Sequence, residues 1–338
     1  MRNHLLALLL ATLLAILAGP AAAATIDWVM VRDPGNMPEP TGFSCLEVNF
    51  EICGSVADVY RISRYEVTNA QYAEFLNAVA ESDSYGLYHA SMSSNAIGGI
   101  TRSGSEGSYA YEVKDGRGNE PVVFVSWYDA LRFANWLHNG QPSGAQGPAT
   151  TEDGAYTFTG ATSVGARNGE AITFLPTENE WFKAAFYDAV SAEYFLFPAA
   201  TSDWLRSSPP PGGWNSGNVR ADSGAYAVTG SKVYDSTVDY LTEVGAYTGS
   251  ASPYGTYDQG GNVWEWNESP YGSWRGRRGG SWAENREYAA ASEPAYSHPA
   301  TENQGIGFRL ASVVPEPGTG LLVMAGMLGL AAWRRRRD

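Results

Sequence analysis

The stretch from Gly255 to Glu268 (GTYDQGGNVWEWNE) concentrates residue types that could bind a metal ion. Asp258 and Glu265 supply carboxylate oxygens on either side of a Gly-Gly-Asn turn, whose glycines allow unusual backbone torsions. The carbonyl groups of Gly261 and Val263 could complete a cage of the oxygen ligands that calcium prefers. The alternative is an aromatic strand that follows a tight turn, because short motif matches are often coincidental.

Thiol chemistry is restricted to two residues, Cys45 and Cys53, the only cysteines of the chain. In an oxidising compartment, a pair eight residues apart predicts a structural disulfide that closes a small loop. A redox or copper pair is the alternative, but the pair has no histidine nearby to activate it.

The usual catalytic motifs are absent from the sequence. The four histidines form no pair at metal-ligand spacing, and there is no H-E-x-x-H, phosphate-binding loop or G-x-S-x-G elbow. A Ser/His/Asp triad remains open, because its members meet in space and not in sequence. His298, beside Pro299, is the histidine to follow, although a solvated loop histidine is the simpler interpretation.

Three helices are expected to position these residues, and each begins with the same device. A hydroxyl residue precedes, by three positions, a side chain that can reach back to it, as in a capping box. The pairs are Thr68 with Gln71, Ser126 with Asp129, and Thr177 with Glu180, and apolar residues then recur at helical spacing.

Strands and loops are expected elsewhere. Residues 25–60 alternate apolar and polar side chains between prolines, which predicts strand and loop, with Trp28 to Val31 opening a sheet. Three Gly/Ser-rich stretches (91–118, 140–169 and 207–230) predict surface loops without long helices or regular strand ladders.

Six motifs in order resemble the formylglycine-generating enzyme, or sulfatase-modifying factor, family. Together they span about residues 61–310 and predict a domain over residues 61–312. The resemblance implies an α+β fold related to C-type lectins, with little regular secondary structure. The motifs are Y-E-V-T-N from Tyr65, P-V-V-F-V-S-W-Y-D-A from Pro121, L-P-T-E-N-E-W from Leu175, G-N-V-W-E-W from Gly261, R-G-G-S-W from Arg278 and G-F-R from Gly307.

The same resemblance implies structural calcium. Asn218 and Val219 match a first site, whose third ligand stays open between Asp235 and Asp239, and the second site is the set Asp258, Gly261, Val263 and Glu265. The alternative is that Asn218 and Asp258 are turn residues that cap their own backbone.

Catalytic members of the family carry two copper-binding cysteines between R-G-G-S-W and G-F-R. Here Glu284 and Ala289 occupy those positions, and a carboxylate replaces a soft thiolate poorly at Cu(I), so copper is not expected. The resemblance then predicts a calcium-stabilised binding module for a glycan or peptide, with a groove formed by Trp282, Glu284, Arg286 and Tyr288. An oxidoreductase of the formylglycine-generating type, another enzyme on this fold, or a purely structural protein are the alternatives.

The two ends of the chain resemble sorting signals. Residues 1–24 are typical of a secretory signal peptide, and residues 313–338 resemble a PEP-CTERM signal, with a short apolar segment before Arg334 to Arg337. This implies processing by an exosortase, transient membrane association, and delivery across the inner membrane to the surface or extracellular matrix of a Gram-negative bacterium, with polysaccharide as a candidate partner. The formal charge of −14 disfavours nucleic acid.

Overall fold

The computed structural model of the 338-residue chain describes residues 23–40 and 53–314. The predicted signal peptide lies almost wholly outside these residues, as do Cys45 and nearly all of the predicted C-terminal signal. Four helices are found in the described part of the chain: α1 (Asn69–Val79), α2 (Ser91–Ser94), α3 (Trp127–His138) and α4 (Glu178–Phe186), with a 3₁₀ helix at Arg286–Ala289.

The strands are short, as expected. They are β1 (Trp28–Val31), β2 (Tyr60–Ser63), β3 (Ile100–Ser103), β4 (Ala110–Val113), β5 (Phe158–Gly160), β6 (Ser163–Val164), β7 (Thr173–Phe174), β8 (Tyr187–Asp188), β9 (Glu193–Tyr194), β10 (Arg206–Ser207), β11 (Ser216–Gly217), β12 (Trp264–Tyr271), β13 (Trp274–Arg278), β14 (Ala295–Ser297), β15 (Ile306–Phe308) and β16 (Ala311–Val313).

The three predicted capping boxes are all formed. In α1, the amide of Gln71 donates to the Thr68 hydroxyl at 3.3 Å while the Gln71 side chain accepts from the Thr68 amide at 2.9 Å. Ser126 begins α3 and Thr177 begins α4 in the same reciprocal way. Each box satisfies helix N–H groups that would otherwise lack a partner.

Two four-stranded sheets organise the described chain. The first has the order β1-β2-β16-β7 and is antiparallel, so the predicted opening strand at Trp28 is present. The second has the order β14-β13-β12-β15, and its central β12–β13 hairpin contains a bulge between Trp266 and Pro270. This second sheet carries the G-N-V-W-E-W, R-G-G-S-W and G-F-R motifs and therefore brings them together.

The main core lies between helices α1 and α3 and strand β15. Phe75, Phe133 and Phe308 are fully buried, and Phe133 meets both other rings edge-on at centroid distances of 5.3 and 5.5 Å. The aromatic residues on the predicted helices are therefore core residues, and their helical spacing favours this burial. Within residues 23–40 and 53–314, no helix has both the length and the apolar character that a membrane span requires.

The Gly/Ser-rich stretch 91–118 departs from expectation. It contains α2 and a regular antiparallel hairpin, in which β3 pairs with β4 from Ile100 opposite Val113 to Ser103 opposite Ala110. Tyr111 fixes this hairpin to the core, because its hydroxyl donates to the carbonyl of Ala80 at 2.8 Å. A tertiary contact of this kind has no local signature, which explains why composition alone did not indicate a strand ladder.

Candidate functional site

Glu265 lies in a fully buried ion pair. Its side chain and that of Arg309 are both 0 % exposed, and Arg309 binds both carboxylate oxygens, through Nε at 2.5 Å and Nη2 at 2.6 Å. The indole N–H of Trp181 donates to Oε2 at 2.6 Å. Three charged or polar donors therefore occupy most of the acceptor positions of this carboxylate.

Two members of the predicted second calcium set, Glu265 and Asp258, have protein partners, and the site itself stays a prediction. The charge of Glu265 is neutralised by an internal guanidinium, and Asp258 uses Oδ2 to accept the amide of Gly245 at 2.5 Å. Asp258 also has a positive φ of 59°, as a turn residue would. Gly261 is held at φ 100°, where a side chain would approach the Asn218 carbonyl oxygen to 2.5 Å, so this glycine serves close backbone packing.

The buried carboxylates also repel one another. Burial raises the pKa of Glu66 well above its usual range, and the nearby Asp258 and Glu265 raise it further. Burial likewise raises the pKa of Asp258 to about 6. Asn262 donates to Glu66 Oε1 at 3.2 Å and accepts from Asn218 at 3.1 Å. The G-N-V-W-E-W turn is therefore part of an internal polar network.

The first calcium set is also engaged internally. The Asn218 amide donates to the carbonyl of Tyr240 at 2.8 Å, and the Val219 carbonyl accepts from the Ser207 hydroxyl at 2.6 Å. Asp239 pairs with Arg117, and Asp235 accepts from the amide and hydroxyl of Thr237 in its own turn. Asp239 is thus engaged through both carboxylate oxygens, whereas the bonds of Asp235 use only Oδ1, so the third ligand of this site stays open.

No group of three or more His, Cys, Asp or Glu side chains that could hold a metal ion occurs in the described chain. Cys53 is disulfide-bonded and buried. Its expected partner Cys45 lies outside the described residues, so that pairing stays a prediction.

Trp282 borders a surface cleft, which we call the Trp282 cleft. The cleft has a volume of about 390 Å³ and is lined by His89, Ser91, Phe124, Trp264, Arg277, Ser281, Trp282, Ala283, Glu284, Glu302, Asn303, Gln304 and Gly305. Trp282 itself is only 2 % exposed. Its ring stacks on Tyr240 at 4.7 Å, and its N–H donates to the Gln304 carbonyl at 3.1 Å. Trp282 is therefore a wall of the cleft and a core residue at the same time.

Charged groups meet at this cleft. Arg277 stacks over Trp264 at 4.3 Å, and its buried Nε finds no hydrogen-bond partner among the described residues. Burial lowers the pKa of Arg277, while the nearby Glu284 raises it. Burial raises the pKa of Glu302 to about 8, and Asp129 and Asp83 add to this shift. Perturbed ionisable groups in a cleft are typical of functional sites.

His89 and Phe124 form another wall with a strained backbone. Their rings stack at 5.7 Å, and Phe124 has a φ of 60°, which is a rare value for a bulky residue. His89 Nδ1 accepts the amide of Ser91 at 3.1 Å, so the neutral imidazole carries its proton on Nε2. Backbone strain of this kind concentrates at binding and catalytic sites.

Two of the four predicted groove residues need correction. Trp282 and Glu284 line the cleft, but Arg286 and Tyr288 do not. Arg286 turns away to pair with Asp222 and to stack over Trp204 at 4.9 Å. Tyr288 is 43 % exposed and touches the outer edge of Trp264, with ring centroids 6.0 Å apart. Both residues belong to the 3₁₀ segment, whose tight turns point them to other surfaces.

The donor set at the two expected thiol positions does not fit copper. Glu284 lines the cleft and accepts a hydrogen bond from the Ser281 hydroxyl, whereas Ala289 is fully buried. A carboxylate and a methyl group provide no soft ligand.

Sequence reasoning missed His89, Arg277 and Glu302 as cleft residues. His89 and Glu302 lie over two hundred residues apart in the chain, so only the fold reveals their proximity. Arg277 had a signal, because it lies two positions after Arg275 and the strand period places both arginines on one face. His298, the histidine selected for attention, is exposed and lies edge-on to Trp274 at 6.3 Å, away from the Trp282 cleft.

Curated relatives share this sequence at low identity. Hercynine oxygenase of Mycobacterium tuberculosis is 26% identical over 284 residues, which is 76% of this chain and 53% of the relative. Formylglycine-generating enzyme of Thermomonospora curvata is 27% identical over 228 residues, which is 61% of this chain and 58% of the relative. The chain therefore spans about half the length of these curated relatives.

Structural comparison gives the same fold as the sequence motifs predict. The crystal structure of CarF superposes with a TM-score of 0.57 at 21% identity, covering 86% of this chain and 99% of CarF. A PEP-CTERM protein-sorting motif matches residues 313–337. This motif is a signal for export and surface sorting in Gram-negative bacteria, and it implies processing by an exosortase.

The model of the sulfatase-modifying factor enzyme 1-like domain matches residues 54–314, most of the chain. The predicted α+β fold of the formylglycine-generating enzyme type is thereby confirmed. The chain belongs to the family of sulfatase-modifying factor enzyme 1-like domains.

Proposed function

We propose that this exported protein is a binding module whose Trp282 cleft holds a short segment of extracellular polysaccharide. The observation that carries the proposal is the composition of the cleft. Arg277, Glu284 and Glu302 line it, while a carboxylate and a methyl group stand where the family's oxidases have thiols. These side chains can bind and orient a ligand, but they offer no thiolate for oxidation.

The size and chemistry of the cleft suit a sugar. Its volume of about 390 Å³ falls at the lower end of the range for small-molecule sites. Sugar hydroxyls both donate and accept hydrogen bonds, so they can accept from Arg277 Nε and donate to Glu284. The ring of Trp264 is only 2 % exposed and lies under Arg277, where it holds the guanidinium in place. The sorting motif supports an extracellular polysaccharide as the source of that sugar.

Binding can be tested with the purified mature chain. Oligosaccharides released from the polysaccharide of the producing cells would be titrated by isothermal calorimetry into wild type, Arg277→Gln and Glu284→Gln. Both substitutions are expected to weaken binding at least about tenfold, since each removes a charged hydrogen-bonding group. Arg286→Gln is the matched control, because Arg286 is close to Glu284 in the chain but does not line the cleft. Unchanged affinity in both cleft variants, or no binding by wild type, would overturn the proposal.

The alternative is an oxidase or oxygenase on the same fold, and the similarity to hercynine oxygenase and formylglycine-generating enzyme favours it. The mature chain would be mixed with copper, reductant, oxygen and a Cys-x-Pro-x-Arg peptide, and mass spectrometry would detect an aldehyde. No product is expected, because the thiol positions hold Glu284 and Ala289. Steady turnover would show that other ligands hold a metal and would favour the enzymatic function.

A further inference from the structure

A second cleft opens beside the bulge of the β12–β13 hairpin, and we call it the Arg275 cleft. Its volume is about 470 Å³, and its lining residues are Trp127, Tyr156, Val164, Gly165, Ala166, Arg167, Thr177, Glu268, Ser269, Pro270 and Arg275. It shares no lining residue with the Trp282 cleft. It is therefore a separate candidate site.

Arg275 is a cation without a matching anion. Its guanidinium stacks over Trp127 at 4.4 Å, and Nη1 donates to the carbonyl of Trp274 at 3.2 Å. Its Nε is buried and has no hydrogen-bond partner, and no ion pair of Arg275 is found within residues 23–40 and 53–314. A buried donor without an acceptor is costly. The stacked Trp127 also holds the planar guanidinium of Arg275 in place before a ligand binds.

Glu268 offers an acceptor in the same cleft. Its Oε2 pairs with Arg167 Nη2 at 3.1 Å, and the Tyr156 hydroxyl lies close enough to interact with the carboxylate. Its Oε1 is buried and has no partner at hydrogen-bond distance in the described chain. Glu268 and Arg275 are close enough to influence each other electrostatically. The cleft therefore holds one unsatisfied donor and one unsatisfied acceptor on neighbouring side chains.

We propose that the Arg275 cleft is a second binding site for a carboxylate that carries a neighbouring hydroxyl group, as in a uronic acid unit of an acidic polysaccharide. The carboxylate accepts from the Nε of Arg275, whose planar guanidinium matches carboxylate geometry. The hydroxyl donates to Oε1 of Glu268. Both unsatisfied groups acquire partners in this way.

The charges around the cleft support an anionic ligand. Arg167 and Arg275 line it, and Arg167 is paired with both Glu268 and Glu180, so Arg275 is the lining cation without an ion pair among the described residues. The whole chain carries a formal charge of −14, so a cleft with an unpaired cation stands out from its surroundings. Such a cleft attracts anions locally, although the long-range field of the protein is negative.

The experiment is a titration of the mature chain with a galacturonic acid oligosaccharide and with a galactose oligosaccharide of the same length. We expect the uronic acid ligand to bind and the neutral one to bind at least about tenfold more weakly, since only the former carries carboxylates. Arg275→Gln should weaken uronate binding at least about tenfold, whereas Arg286→Gln, which alters neither cleft, should not. Failure of the Trp282 cleft as a sugar site would leave these results unchanged.

Two further arms keep the proposal open to refutation. Arg275→Lys retains the charge without the planar fork, so an intermediate affinity is expected, and this variant also serves if Arg275→Gln fails to fold. L-malate and a poly-glutamate peptide test other sources of the carboxylate. Equal binding of both oligosaccharides, no effect of either Arg275 substitution, or a preference for malate or the peptide over uronate would each overturn the proposal.

Discussion

The buried pair of Glu265 and Arg309 makes a sharp prediction about stability and about calcium. Substitution of Glu265 by Gln keeps the shape of the side chain but removes its charge. Arg309 would then lose the one carboxylate bonded to it and keep the carbonyls of Ser63 and Tyr257, at 3.0 and 2.7 Å, with Glu66 and Asp258 as more distant anions. Breaking a buried ion pair on one side costs about 3–5 kcal/mol.

The expected loss is large enough to measure by thermal unfolding. For a domain of this size, about 1 kcal/mol corresponds to about 2–4 °C in Tm, so Glu265→Gln should lower Tm by about 6–20 °C. Asp27→Asn is the matched control, because Asp27 pairs with Arg64 at 2.8 Å at the surface. Exposed pairs contribute only about 0.2–1 kcal/mol, so this control should move Tm by a few degrees at most.

Calorimetry with excess calcium or with chelator separates the ion pair from the predicted metal site. If Glu265 is held by Arg309, the Tm of wild type should not depend on calcium, and Glu265→Gln should be destabilised to the same extent under both conditions. A metal that binds only the folded chain would raise Tm. A calcium-dependent Tm in wild type that disappears in Glu265→Gln would refute the ion-pair interpretation and restore the predicted calcium ligand.

Three other perturbations follow from the geometry. Glu302→Gln should flatten the pH dependence of the free energy of unfolding. Because the pKa of Glu302 is raised to about 8, its contribution to stability is complete below about pH 4.5 and is lost as the pH rises through 8. Urea unfolding at several pH values would detect this change. Gly261→Ala should destabilise by about 1–3 kcal/mol or more, because its φ is 100° and the new methyl group would strike the Asn218 carbonyl, whereas Gly35→Ala, with open space around it, should cost only the backbone strain. Thr68→Ala should lower the free energy of unfolding by about 0.5–2 kcal/mol through loss of the α1 cap, while Thr68→Ser should restore most of it in the same urea assay.

The parts of the fold that could be predicted from the sequence are those whose signals lie in residues close together in the chain. The capping boxes at Thr68, Ser126 and Thr177 each involve residues three apart, so the helices could be read directly from the chain. The strand at Trp28–Val31 also had a compositional signature. Short strands elsewhere depended on tertiary pairing, as in the hairpin that Tyr111 fixes to the core.

The candidate site was predicted less well for the same physical reason. Glu265 resembled a metal ligand because its neighbours in sequence are a turn and a carboxylate, but its partner Arg309 lies 44 residues further along the chain. Arg286 and Tyr288 seemed to line a groove because they follow Trp282, yet a 3₁₀ turn directs them elsewhere. The unpartnered groups of Arg275 and Glu268 lie beside a strand bulge, for which Pro270 is a sequence signal that the prediction of the site did not include.

The distribution of buried charge explains why the family motifs predict the fold better than the chemistry. Glu178 of L-P-T-E-N-E-W pairs with Arg278 of R-G-G-S-W, and both are almost fully buried. Glu265 of G-N-V-W-E-W pairs in the same way with Arg309 of G-F-R. Four motifs are therefore held together by two internal ion pairs, and the loss of either partner would leave an uncompensated buried charge.

Selection for a stable fold alone would keep such motifs recognisable, whatever the protein does. The two thiol positions of the family lie outside these pairs, on the short segment between two motifs. Glu284 there is partly accessible and bonded only within its own turn and to the Arg220 backbone. That segment can change its chemistry without disturbing either ion pair, so a chain can retain every fold motif while its cleft changes from oxidation to binding.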